Sequence, residues 1–263
     1  MYIMDYHHHT NHSFDSKAVM NEVCTEAIHR NINEICFTEH YSLNPLAPTY
    51  GHINLKRYIK DIEQCRAQFE GKLVIKAGIE ICEPHLLKSE YQKVLEPLHL
   101  DFILGSVHNI NDKKLRLYLQ HKTVEEVYGG YFEELYNLVK HADIDVLAHI
   151  DLMKRYAIKV HGNYDFDQFK PQLTEILTKA IERNIGIEIN TSGMRSRLGE
   201  PLPSQAVLKL YKELGGELLT VGSDSHKVET VGDHISEAIA LAKECGFRYV
   251  FTYDKRQPSA ISI

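Results

Sequence analysis

The sequence predicts a closed or nearly closed β/α barrel, and three observations point there. Short apolar runs alternate with helix-length amphipathic stretches along all 263 residues. The apolar runs lack a regular polar face, as expected of parallel strands covered on both sides. Polar residues of metal-ligand type fall at the carboxyl ends of successive runs, the face on which such barrels assemble their sites. Seven strand–helix units suit a barrel of this length. An open doubly wound sheet is the alternative, weakened because no Gly-rich phosphate fingerprint follows the first strand.

The predicted strands are Tyr2–Tyr6, Glu34–Thr38, Leu73–Ile81, Asp101–Ser106, Asp145–Ala148, Gly186–Asn190 and Glu217–Gly222, most of them rich in Ile, Val, Leu and Phe. Arg248–Tyr253 is a candidate for one more strand. Helices are expected over Lys17–Arg30, Asn54–Phe69, Leu86–Leu95, Val124–His141, Asp167–Arg183, Ser204–Leu214 and Asp233–Cys245. Asp15-Ser16 offers capping oxygens to the first, and Thr123 stands three residues before Glu126, the spacing of a capping box. Gly71, Gly215-Gly216 and Gly246 follow three helices, where a left-handed residue ends the last turn. Asn44–His52 and Gly193–Pro203 read as loops. No linker, low-complexity tract or charge block divides residues 1–263, which therefore read as a single domain.

Composition narrows the function classes. With 43% hydrophobic and 25% charged residues the chain is globular, neither disordered nor fibrous. No apolar run approaches the roughly 20 residues of a membrane span, and Met1–Tyr6 carries Asp5 instead of the basic start of a secretory signal. A net charge of −6 argues against a nucleic-acid track. Five scattered cysteines with no CxxC pair read as buried, reduced thiols of a cytoplasmic protein. The residue out of proportion is histidine, present sixteen times.

The placing of those histidines is informative. His7 and His9 end the first strand, His40 the second, Glu80 the third, His108 the fourth and His149 the fifth; Asp224 and His226 follow the seventh. Residues two apart in an extended segment share a face, so His7 and His9 point together and His8 away. Asp224 and His226 repeat that geometry if the chain stays extended there. Polar side chains at buried strand ends are costly unless something satisfies them. Imidazoles and carboxylates without thiolate suit zinc, iron or manganese. A Glu can bridge two ions, and two ions about 3.5–4 Å apart can clamp a phosphoryl group. Asp15 has two readings, a helix cap or a ligand reaching back to the site. The ten other histidines read as surface or packing residues, with His12 in the first β–α loop the candidate exception.

These residues sit in recognisable motifs: Asp5-Tyr6-His7-His8-His9-Thr10, Phe37-Thr38-Glu39-His40, Gly78-Ile79-Glu80, Gly105-Ser106-Val107-His108, Ala148-His149 and Gly222-Ser223-Asp224-Ser225-His226. Together they resemble, in order and over essentially the whole chain, the PHP (polymerase and histidinol phosphatase) superfamily. Thr38-Glu39-His40-Tyr41 and Glu188-Ile189-Asn190-Thr191-Ser192-Gly193 look most like its histidinol-phosphate phosphatase branch. The resemblance implies a distorted (β/α)7 TIM-like barrel and three divalent metal ions. His7, His9, Glu80 and Asp224 would hold the first, Glu80 would bridge to a second completed by His108 and His149, and Asp15, His40 and His226 would hold the third.

The expected chemistry is hydrolysis of a phosphate monoester, with L-histidinol phosphate the substrate that the branch implies. A water shared by two ions ionises near neutral pH and attacks phosphorus in line. Asp224 or His226 would protonate the leaving alcohol. Arg195 and Arg197, after the sixth strand, and Arg155, after His149, are candidates for binding phosphate. Tyr41, Asn44 and the loop to Tyr50 are candidates for the other end of the substrate. Another small phosphate ester or nucleotide, an exonuclease and a non-catalytic metal-stabilised domain are the alternatives; oligomeric state stays open.

Overall fold

The computed structural model describes residues 2–263. Seven parallel strands lie in chain order: β1 (Met4–His8), β2 (Glu34–Tyr41), β3 (Val74–Cys82), β4 (Phe102–Ser106), β5 (Val146–Leu147), β6 (Gly186–Asn190) and β7 (Leu219–Gly222). β7 returns to β1 through a few contacts instead of a full ladder. The Asp224 N–H donates to the His7 carbonyl at 2.7 Å, and the His9 N–H to the Ser225 carbonyl at 2.9 Å. Asp5, wholly buried, reinforces the seam by accepting from the Ser223 N–H at 2.7 Å and the Gly232 N–H at 2.9 Å. The outcome is a nearly closed (β/α)7 barrel.

Seven longer helices alternate with these strands: α1 (Met20–His29), α2 (Leu55–Gln68), α3 (Lys88–Leu95), α4 (Val124–His141), α5 (Phe166–Glu182), α6 (Gln205–Glu213) and α7 (Ile235–Glu244). The capping box at Thr123 and Glu126 forms, and Gly71, Gly215 and Gly246 all take positive φ. α1 starts later than predicted, at Met20, with Val19 before it and no side-chain cap. Ser16 instead donates to the carbonyls of His9 and His226, at 3.1 and 2.9 Å, and pins the first β–α loop across the carboxyl ends of the strands. Asp15 is thereby released from capping. Among the described residues no helix is long and apolar enough to cross a membrane.

Arg248–Tyr253 adds no strand to the barrel. β8 (Tyr249–Asp254) pairs antiparallel with β9 (Gln257–Ser262) as a hairpin against the amino ends of the barrel strands. The seam between β7 and β1 is already bonded, so no gap remains for an eighth strand. The Tyr253 N–H donates to the Tyr6 hydroxyl at 2.7 Å, and its ring packs on Phe102 at 5.0 Å. At the hairpin turn the Arg256 N–H donates to the Asp101 carbonyl, and its guanidinium reaches Asp143 and Asp145 at 2.8 and 3.0 Å. Burial pushes Asp145 up to about 6 against the pull of Arg256. Removing that partner by Arg256→Ala is expected to cost about 2–4 kcal/mol, read from urea unfolding. An unchanged midpoint would show that the hairpin does not secure the barrel floor.

Candidate metal centre

Glu80 is the hub of the carboxyl face. The β2–β3 register sets it beside His40, and it has no exposed surface. Its Oε2 lies 3.6 Å from His7 Nε2, 3.6 Å from His9 Nε2 and 2.6 Å from His40 Nδ1. Its Oε1 lies 3.0 Å from His149 Nε2 and 3.5 Å from His108 Nε2. His7 Nε2 and His9 Nε2 approach to 3.0 Å, as the two-residue spacing requires, and Asp224 Oδ1 stands 3.7 and 3.5 Å from them. A tetrahedral ion with bonds of about 2.0–2.1 Å holds its ligand atoms roughly 3.3 Å apart, the scale of these separations. Asp15 Oδ2 lies 3.5 Å from both His40 Nε2 and His226 Nε2.

All nine sequence-predicted donors therefore meet at one end of the barrel, in groups that share members. Glu80 Oε2 and His40 Nδ1 are buried and unbonded, close together but misaligned for a hydrogen bond. Such orphaned, converging donors fit a set of divalent cations, and the nitrogen–oxygen chemistry fits zinc, iron or manganese. Asp224 departs from the expected extended geometry. Its φ is +50°, and that of His149 is +27°, both left-handed for residues with a Cβ. A turn, instead of a shared strand face, thus brings Asp224 Oδ1 to the β1 imidazoles and His226 to Asp15.

Outer partners orient several of these rings; Glu188, Glu39 and Thr10 stand in the sequence motifs without an assigned role, and Ser13 and Cys82 are not singled out there. His7 Nδ1 lies 2.6 Å from Glu188 Oε1, whose other oxygen accepts from the His149 N–H at 3.0 Å. Gly222 makes room for that pair, since a Cβ there would collide with His7 and the Glu188 carboxylate. Ser13 Oγ lies 3.2 Å from His9 Nδ1 and donates to Glu39 at 2.6 Å. Glu39 also accepts from Thr10, so a buried carboxylate shapes the loop that carries Asp15. Cys82 likewise belongs to the site and not to the anonymous core, with Sγ 3.2 Å from His108 Nδ1. His12 is no exception to the packing histidines: it pairs with Asp61 at 3.0 Å, beside Tyr58.

Charge is divided among the protein groups. Burial opposes a charged His7, yet Glu188, Asp224 and Glu80 raise its pKa well above the ordinary imidazole value. His40 is raised in the same way, by Glu80 and Asp15 against burial. Burial and the neighbouring His40 and His226 hold His9 well below that value, and burial brings His108 down to about 3. Glu80 and Asp224 stay ionised because the surrounding imidazoles overcome burial.

The cluster opens into a cavity of about 380 Å³. Arg155 lines it, donating to Ser192 and lying 3.4 Å from Asp224 Oδ2. Arg195 spends its guanidinium on the Ser223 and Asp224 carbonyls, at 2.6 and 3.3 Å. Arg197 is exposed and stands outside the cavity wall. The Asn44–His52 loop contributes Ala47, Pro48 and Thr49, while Tyr41 packs on Tyr91 and Asn44 bonds Asp112.

The family model of the PHP domain matches residues 5–192. The chain belongs to the PHP domain family. It is 31% identical over 264 residues to the "Probable histidinol-phosphatase" of Clostridium acetobutylicum, a match covering 97% of this chain and 98% of the relative. The histidinol-phosphatase of Lactococcus lactis is also 31% identical, over 255 residues, covering 95% and 94% of the two chains. The crystal structure of histidinol phosphate phosphatase from Lactococcus lactis, complexed with zinc, L-histidinol and phosphate, superposes with a TM-score of 0.90. It is 30% identical to this chain, and the match covers 98% of both.

One further carboxylate of this PHP chain shapes the cavity edge. Glu83 accepts from the His108 and Asn109 N–H groups at 2.6 and 2.9 Å, and burial pushes it up to about 7. Its contribution to stability is full below about pH 4.5 and is lost as pH rises through about 7, by up to about 3 kcal/mol. Glu83→Gln should flatten that part of the stability–pH curve in denaturant titrations from pH 5 to 8. Parallel curves for the two proteins would contradict the assignment. Gly222→Ala should displace Glu188 from His7 and lower metal affinity by about 10–100-fold, read by calorimetric titration with zinc.

Proposed function

We propose that this chain is a metal-dependent phosphatase that hydrolyses L-histidinol phosphate to L-histidinol and phosphate. One observation carries the reading. The donor cluster opens into a small cavity beside Arg155, in a chain that superposes over 98% of its length on an enzyme holding zinc, L-histidinol and phosphate. In this reading His7, His9, Glu80 and Asp224 hold one ion, Glu80 with His108 and His149 a second, and Asp15 with His40 and His226 a third. Bound divalent ions supply an acidic water and offset charge on the phosphoryl oxygens.

The chain's own residues position and move protons. Glu188 and Ser13 fix the His7 and His9 rings so that both Nε2 atoms face Glu80. Arg155 offers a planar fork to phosphate oxygens at the cavity wall, and Ser192 holds it there. Arg195 acts one step back, setting the Ser223–Asp224 turn. Asp224 is held ionised by His7, His9 and His226 against burial and is a poor proton donor. His226, with a side chain 27% exposed at the cavity, is the better placed to protonate the leaving alcohol. A cavity of about 380 Å³ suits a small ester and not a nucleic-acid strand.

The deciding assay compares the metal-loaded protein on L-histidinol phosphate, sugar phosphates, nucleotides and a short single-stranded DNA. The expected kcat/KM for L-histidinol phosphate is roughly tenfold or more above the rest. Equal values across the small esters would overturn the substrate, and degradation of DNA alone would favour the exonuclease. Asp224→Ala or His9→Ala should lose both bound metal and turnover. Arg155→Ala should keep its metal and lose about 10–100-fold in kcat/KM, the worth of a charged hydrogen bond.

A further inference from the structure

Cys82 is a donor beside the centre that the proposed ligand set leaves unused. It follows Glu80 by two residues on β3, so both side chains fall on one face, and it lines the cavity. Its Sγ lies 3.2 Å from His108 Nδ1, while the same ring turns Nε2 to Glu80 Oε1 at 3.5 Å. His40 also stands within 4.8 Å of the sulfur, but its Nδ1 is turned onto Glu80 Oε2.

Metal-binding imidazoles are oriented through their second nitrogen, whose partner fixes ring and tautomer. For three other rings of the cluster that partner is an oxygen, Glu188 for His7, Ser13 for His9 and the Asp224 carbonyl for His226, while His40 Nδ1 is unbonded. His149 Nδ1 is buried with no partner among the described residues. Among those residues, then, Cys82 supplies the one outer contact that either imidazole of the Glu80–His108–His149 group receives through Nδ1. A thiol sulfur is a weak acceptor, so this group is held less firmly than the first, whose two rings both have oxygen partners, and the third, where His226 has one.

We propose that Cys82 is a positioning residue for His108 and sets the affinity of the most weakly held ion. The sulfur accepts from Nδ1–H and leaves Nε2 as the lone-pair nitrogen facing Glu80. This inference rests on the reading that Glu80, His108 and His149 hold an ion.

The test uses the full chain with Cys82→Val, which keeps volume but removes the acceptor, and Cys82→Ser, which restores one. Zinc content after dialysis against graded zinc buffers, and calorimetric titration of the metal-free proteins, give the affinity of each step. In the wild type one step should be weaker than the others. In the Val variant that step alone should weaken by about 10–100-fold, and Ser should recover most of the loss. Metal-free Val should unfold at the wild-type temperature. Wild-type affinity at every step in the Val variant would overturn the role of Cys82. So would uniform weakening with a lowered unfolding temperature, the mark of a packing residue. A wild-type chain that takes up no zinc would instead overturn the ligand reading beneath it.

Discussion

A carboxylate sealed from water would ordinarily take up a proton. Glu80 has no exposed surface, yet five imidazoles lie 2.6–3.6 Å from its oxygens, and His40 foremost among them holds it ionised. Those five come from the ends of four strands, β1, β2, β4 and β5, and Glu80 from β3, so the arrangement exists only if β1 to β5 keep their register. A slip of one residue in β3 would turn Glu80 out of the barrel and bring Ile79 or Ile81 into its place. The fold and the site are therefore one constraint viewed from two directions.

The two ends of the barrel answer that constraint differently. At the amino end the β8–β9 hairpin seals the floor with Tyr253, Tyr6 and Phe102 in mutual contact, and its turn satisfies Asp101 and Asp145. At the carboxyl end the loops leave a cavity, and the donor cluster forms its base. The cluster opens to solvent through this cavity. Excluding water from below keeps the interactions among buried charges strong.

Much of this was legible in the sequence because strand periodicity and strand ends are local properties. Two-residue spacing placed His7 and His9 together, and the apolar runs located the seven barrel strands. Asp15 stayed ambiguous because its role depends on where α1 begins, and Ser16 decides that by bonding carbonyls just after β1 and after β7. Glu188 stood in a recognised motif with no role assigned, and Cys82 gave no local signal: the role of each follows from the imidazole across from it in space, not from its neighbours in sequence. Arg195 and Arg197 looked alike as loop guanidiniums. The three-dimensional turn puts one behind Asp224 and the other in solvent. The last strand failed as a barrel strand because closure was already supplied by Asp5 and Ser223, distant partners that pattern alone does not join.

The division of charge around Glu80 also decides how the cluster takes up cations. Imidazoles bind metal through a lone pair, so a ring already held neutral is ready and a protonated ring must first be emptied. His9 and His108 are held neutral by burial and by neighbouring rings, whereas the carboxylates raise His7 and His40. Each of the three proposed groups contains at least one carboxylate, and each of the first and third also contains one raised histidine. Loading those two groups must expel protons from His7 and His40, whereas His108 in the second group is already held neutral by burial. Acid therefore competes with the ions most directly at the first and third groups. On the proposed assignment the second is limited instead by how firmly His108 is held, so pH and outer-sphere contacts would govern different ions of the same centre.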